Sequence, residues 1–334
     1  MAPSPHDALF RAIFGLPRHA AAELGAVLPR ELAERLDLAE LTRVEGSFIE
    51  ETLRASSSDL LFRAPWRRGC VTPPDTADPF LFLLFEHQST FDPRMPLRLL
   101  GYMTRIWERH RREYPDERTL PPIVPLVIHH GATPWHGPTR FAEQLKLPVG
   151  IAPSASPWTL DFEFLLDDLA RQSDAELLAR GHDAIARLTL LALRNGRDRE
   201  GFFPRLIAAI RALQGDLRSP DAASALAALA SYVCHVGDAP LAQVRDTMAA
   251  ALPPEVRSPF MTIAEQLKAE GRAEGLSEGA TTAQRESLTL VFEARFGPLD
   301  AADRTRIAAA GSEQLLRWIR RSGTAPSVAA AMTE

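Results

Sequence analysis

Six consecutive apolar residues, Phe80-Leu81-Phe82-Leu83-Leu84-Phe85, stand in a chain whose apolar positions elsewhere recur at intervals of three and four. Such a run suits a strand buried on both faces, as in the centre of a sheet covered by helices. Upstream, Ala8, Leu9, Ile13 and Phe14 share a helical stripe that Pro17 closes, and further short helices are predicted over Ala20–Leu28 and Leu32–Leu41. Two extended runs, Ser47–Arg54 and Asp59–Arg63, flank the turn-forming Ala55-Ser56-Ser57-Ser58 and predict a hairpin. Downstream, Leu99, Leu100, Met103, Ile106 and Trp107 define an amphipathic helix over Leu97–Arg112. A strand over Ile123–His129 follows, in which Pro125 calls for a place where one ladder hydrogen bond can be lost.

Beyond residue 160 the spacing is helical throughout: Leu160–Arg171, Asp174–Leu193, Phe202–Leu213, Pro220–Cys234 and Pro240–Leu252. Residues 268–280 repeat a Glu-Gly pair every four residues, at Gly271, Gly275 and Gly279. Each such glycine weakens a helix by about 1 kcal/mol relative to alanine, so this stretch is expected to be a flexible or helical connector. The last stretch, Thr282–Met332, predicts two or three helices with a stop at Phe296-Gly297-Pro298.

Composition narrows the class. With 46% hydrophobic and 24% charged residues the chain is globular in character, and no run approaches the roughly 20 apolar residues of a membrane span. The N-terminus lacks a basic segment followed by an apolar one, so a cytoplasmic protein is expected. Cys70 and Cys234 have no companions at metal-binding or disulfide spacing. A net charge of −5 means that any nucleic-acid surface must be local.

The candidate chemistry lies where the apolar run ends. Side chains two apart on a strand share a face, so Glu86 and Gln88 project together while His87 points the other way. A carboxylate at the end of a buried strand needs a partner, and a metal ion is a common one for paired carboxylates. Asp59, at the start of the preceding strand, is the natural second acid.

These segments carry a family resemblance. His6-Asp7-Ala8-Leu9-Phe10, Ser58-Asp59-Leu60-Leu61-Phe62-Arg63, Phe85-Glu86-His87-Gln88-Ser89, Arg98 to Met103 and Leu120 to Gly131 occur in the order found in the recombination-promoting nucleases, or YhgA-like putative transposase family. The connector and the stretch from Phe296 to Trp318 also resemble a tail found in that family. The resemblance implies an α/β fold, a PD-(D/E)XK restriction-endonuclease-like core of mixed sheet flanked by helices, followed by a mainly helical half. The corresponding division is a nuclease-like core over 1–150, a helical domain over 151–265, the connector over 266–281 and a small helical extension over 282–334.

It further implies a DNA endonuclease that uses Mg²⁺ or Mn²⁺ to activate water, breaking phosphodiester bonds and promoting recombination. Asp59, Glu86 and the backbone carbonyl of His87 would hold the metal, and Asp59, Glu86 and Gln88 would be the catalytic set. Most PD-(D/E)XK sites have lysine where this chain has Gln88, and glutamine can orient water but brings no positive charge. The alternative is a catalytically weakened or inactive DNA- or protein-binding scaffold that keeps the fold.

Other residues have two readings each. Asp7 is a further ligand or a helix cap, and Arg98, Arg105, Arg109 and Arg112 on one helical face are phosphate contacts or a solvated surface. His129 and His130 point to opposite sides of their strand, which favours a structural or substrate-flanking role over joint ligation of one ion. Tyr102, Trp107, Trp135 and Trp158 are expected mostly in the core. The helical half and the C-terminal extension are the surfaces open to self-association.

Overall fold

The computed structural model describes residues 4–44, 60–70, 80–146, 159–181, 183–237 and 239–333, with the backbone alone at 267, 268, 270–275, 277 and 278. Its centre is a five-stranded mixed sheet in the order β1 (Thr42–Arg43), β2 (Leu60–Pro65), β3 (Phe80–Gln88), β4 (Ile123–His129) and β5 (Leu165–Asp168). β1, β2 and β3 run antiparallel, and β3, β4 and β5 run parallel. The predicted central strand is therefore central, and it is buried along its whole length.

The two faces of β3 are divided by parity. Phe80, Phe82 and Leu84 pack on α4 (Met95–Glu113) through Met95, Leu99, Tyr102 and Ile106, with Leu61, Val127, Trp135 and Phe164 completing that cluster. On the other face Phe85 meets Phe10 and Phe14 of α1 (Pro5–Phe14), at ring separations of 5.7 and 5.8 Å. Ser4 caps α1, its side chain accepting from the backbone of Asp7, and Pro5 supplies the first-turn proline. Each phenylalanine removed from water here contributes roughly 1.5–3 kcal/mol, which fixes both helices to one strand.

Pro125 sits opposite Leu84, whereas pairing with β5 begins at Leu126. It thus occupies a stretch of β4 with a ladder on one side only, as its missing N–H requires.

The expected helix over Leu160–Arg171 is not formed. Its middle is β5, followed by a short 3-10 turn over Leu169–Arg171. Phe162, Phe164 and Leu166 all turn toward the α4-side cluster, a spacing of two that serves a strand and not a helix. Two further helices are shorter than their patterns suggested. The one over Leu32–Leu41 is reduced to α3 (Arg30–Ala33) and a 3-10 turn at Leu38–Glu40. Asp174–Leu193 is split into α5 (Asp174–Leu178) and α6 (Ala184–Asn195), with Gly181 at φ +45° between them. Of the predicted hairpin, Ser47–Arg54 lies outside the described residues, and the described partner of β2 on that side is β1.

Up to residue 296 the other described α-helices are α2 (Pro17–Val27), α7 (Phe202–Leu213), α8 (Ala222–Gly237), α9 (Leu241–Ala251) and α10 (Pro254–Phe296). The chain forms two compact units, residues 1–261 and 262–334, and α10 contributes to both. In the second unit Gly297, at φ +87°, ends α10. Leu288 and Phe292 then share a core with residues of α11 (Ala301–Ala309), α12 (Ser312–Ser322) and α13 (Val328–Ala331), including Ile307, Leu315, Trp318 and Ala331. Among the described residues no helix is long and apolar enough to cross a membrane.

Candidate active site

Glu86 and Gln88 lie on the α4 face of β3, as the strand period requires, and the side-chain amide of Gln88 donates to Oε1 of Glu86. Glu86 is fully buried. The same Oε1 accepts from the guanidinium of Arg98, in the first turn of α4. Arg98 is itself aligned by Tyr102, whose hydroxyl oxygen accepts from Nε at 2.8 Å, and by Asp92, 3.4 Å from Nη1. The second oxygen of Glu86, Oε2, is buried and has no hydrogen-bond partner among the described residues.

Asp59 lies outside the described residues. Its chain neighbour Leu60 opens β2 opposite Phe85, the residue before Glu86.

Gln88, His129 and Asp168 are register partners across the three parallel strands, so this edge of the sheet carries one polar row. Asp168 is saturated by the backbone N–H of Trp135 at 2.8 Å, that of Ala170 at 3.2 Å and Nε of Arg171 at 3.0 Å. His129 faces Trp135, while His130 stacks on His87 at 4.6 Å, so the adjacent histidines do serve opposite faces.

The reverse face holds a second polar cluster. His87 donates from Nδ1 to Asp7 at 3.1 Å and stacks on Phe10 at 4.7 Å. His6 contacts the Tyr232 hydroxyl of α8 at 2.9 Å and lies 4.8 Å from His130. Burial, with the charges of His87 and Arg197, lowers His6 to about 4. His130 is pushed well below the usual histidine range by burial and by the neighbouring His87 and His6. Burial works to raise Asp7, but hydrogen bonds from His87 and Ser4 outweigh it and bring the carboxyl down to about 2. Asp7 is not the helix cap, which is Ser4, and it meets the side chain of β3 that points away from Glu86.

Of the arginines on α4, Arg98 is the one whose contacts reach Glu86. Arg109 pairs with Glu113 at 2.6 Å, one turn along its own helix, and Arg105 is half-buried on the helix flank. Tyr102 and Trp135 are core residues, Trp107 donates its indole N–H to Pro121 at 2.8 Å, and Trp158 lies outside the described residues. The sequence offered Arg98 as a phosphate contact or a surface residue, and its pairing with Glu86 is a third role that the spacing does not announce.

A divalent cation fits this donor set in part. Glu86 offers a buried carboxylate oxygen that lacks a donor, which is what a cation would supply. Among the described residues no three acidic, histidine or cysteine side chains gather as a metal cluster, so a second carboxylate would have to come from Asp59.

The sequence model of the family described as "Putative transposase, YhgA-like" matches residues 4–218. The chain belongs to this family. The chain is 28% identical to the recombination-promoting nuclease RpnD of Escherichia coli O157:H7, over 79% of this chain and 94% of that protein. It is 29% identical to the inactive recombination-promoting nuclease-like protein RpnE of Escherichia coli K12, over 83% and 85% of the two chains. Identity to the recombination-promoting nuclease RpnA of the same strain is 26%, over 80% and 85%. No solved structure matches. These three relatives thus include two named as nucleases and one named as inactive.

Proposed function

We propose that this chain is a DNA endonuclease of the PD-(D/E)XK kind, dependent on Mg²⁺ or Mn²⁺, whose strand breaks promote recombination. The observation that carries the reading is the buried Glu86 carboxylate at the end of β3, with one oxygen held by Gln88 and Arg98 and the other lacking a donor. The names of the nuclease relatives support DNA as the substrate.

In this reading Glu86, Asp59 and the backbone carbonyl of His87 hold the cation. When bound, such an ion lowers the pKa of water and neutralises charge growing on a phosphate. Gln88 has a different task. One of its two amide N–H groups is committed to Glu86, and its amide oxygen is an acceptor that can orient an attacking water. Arg98 neutralises Glu86 and is stationed beside it by Asp92 and Tyr102, close enough to the site to meet a phosphate.

Nicking of supercoiled plasmid in Mg²⁺ or Mn²⁺ tests the proposal. Loss of at least a hundredfold is expected in Asp59→Ala and in Glu86→Ala. Nicking that survives both substitutions sinks it. A folded protein that binds DNA but cuts in neither metal would establish the alternative, a non-catalytic scaffold, for which the inactive relative and the uncharged Gln88 are the supporting observations.

A further inference from the structure

Glu86 Oε2 is not the only acceptor left without a donor on the α4 face of the sheet. His129, one strand over, is 1% exposed, and its Nδ1 is buried with no hydrogen-bond partner among the described residues. Its other nitrogen fixes the tautomer. Nε2 lies 3.0 Å from the carbonyl oxygen of Thr133, which can only accept, so Nε2 carries the proton and Nδ1 presents a lone pair.

The ring is held in a built cradle. A Cβ at position 131 would fall 2.5 Å from both Cε1 and Nε2 of His129, so Gly131 is the residue that admits the ring. Trp135 closes on it edge-to-face at 5.3 Å. Only Nδ1 remains to be satisfied.

The register places His129 and Glu86 on the same face of adjacent strands. Gln88 pairs with His129 and Glu86 with Val127, so Glu86 and His129 are diagonal neighbours on adjacent strands. Strand spacing and rise put their Cα atoms about 8 Å apart. Two buried lone-pair acceptors facing one side of a sheet call for a cation, and an imidazole whose far nitrogen donates to a carbonyl has the form of a metal-ligating histidine.

We propose that His129 is a nitrogen ligand of the Glu86 site, and that the site therefore favours Mn²⁺ over Mg²⁺. Imidazole suits transition ions, whereas Mg²⁺ takes oxygen donors. This rests on the metal-site reading given above and adds to it a ligand from β4.

Electron spin-echo spectroscopy of Mn²⁺ bound to the full chain reads coordination without reference to catalysis. The expected spectrum contains coupling to a directly bonded imidazole ¹⁴N, which disappears in His129→Gln. That variant keeps an amide able to donate to Thr133, so the cradle is retained while Nδ1 is lost, and circular dichroism checks its fold. Mn²⁺ affinity should fall at least tenfold in the variant. Glu86-dependent Mn²⁺ binding with no nitrogen coupling, or with coupling that persists in His129→Gln, overturns the inference and leaves the carboxylate site standing. No Mn²⁺ binding at all overturns both.

Discussion

Arg98 and Glu86 are twelve residues apart in the chain, and nothing in the spacing of either announces the other. Between them lies the turn through Asp92, whose carboxylate accepts from the backbone of Arg94 at 2.9 Å, one residue before α4, and also contacts the Arg98 guanidinium. Glu86 and Gln88, by contrast, were legible at once, because alternation along a strand is a property of the strand alone. The histidines of the reverse face were not, since His6, His87 and His130 come together only through packing. Their burial has a measurable sign. His6, lowered from 6.5 to about 4, stays neutral in the fold at a pH where the unfolded chain binds a proton. Its contribution to stability is complete above pH 6.5 and is lost as pH falls toward 4, and His130 acts in the same direction. Urea unfolding between pH 4 and 8 should therefore show stability declining below 6.5, with a shallower decline in His6→Asn. An equal slope in the two proteins would refute the assignment.

Among the elements, β3 and β4 could be read from unbroken apolar runs and α4 from its helical stripe. β5 could not. Its four residues sit in an apolar stretch dense enough to fit a helix as well, and the pairing with β4 decides between them. The joints between helices are equally non-local. Buried His19 on α2 has Nδ1 2.7 Å from Asp183, the cap of α6, and Nε2 2.6 Å from Asp221, just before α8. Both carboxyls are held below their ordinary range, burial being outweighed by contact with His19. Removing the ring takes a hydrogen-bond partner from two partly buried carboxylates and should cost about 1–3 kcal/mol, the order seen when a buried polar group is left unsatisfied. His19→Ala, followed by urea denaturation at neutral pH, measures this. A change below 0.5 kcal/mol would mean that α2 is held by its apolar face alone.

At the scale of the whole molecule, the chain's two units share one helix, and α10 carries Gly271, Gly275 and Gly279 within its 43 residues. Three glycines weaken it by roughly 3 kcal/mol in total relative to alanine, so this segment should open before either core does. Replacing all three by alanine should raise helicity and slow tryptic cleavage at Lys268 and Arg272 at least tenfold. Unchanged cleavage would count against local opening as the route. The contact between His6 and Tyr232 spans 226 residues, and it ties the first helix to one of the last elements of the larger unit. During synthesis at roughly 5–20 residues per second, His6 of α1 would leave the ribosome some ten to forty seconds before Tyr232 of α8 exists to meet it. Phe10 and Phe14 can meet Phe85 as soon as β3 emerges, so it is the side of α1 carrying His6 that waits for α8, and the nascent chain holds that side open for the whole interval.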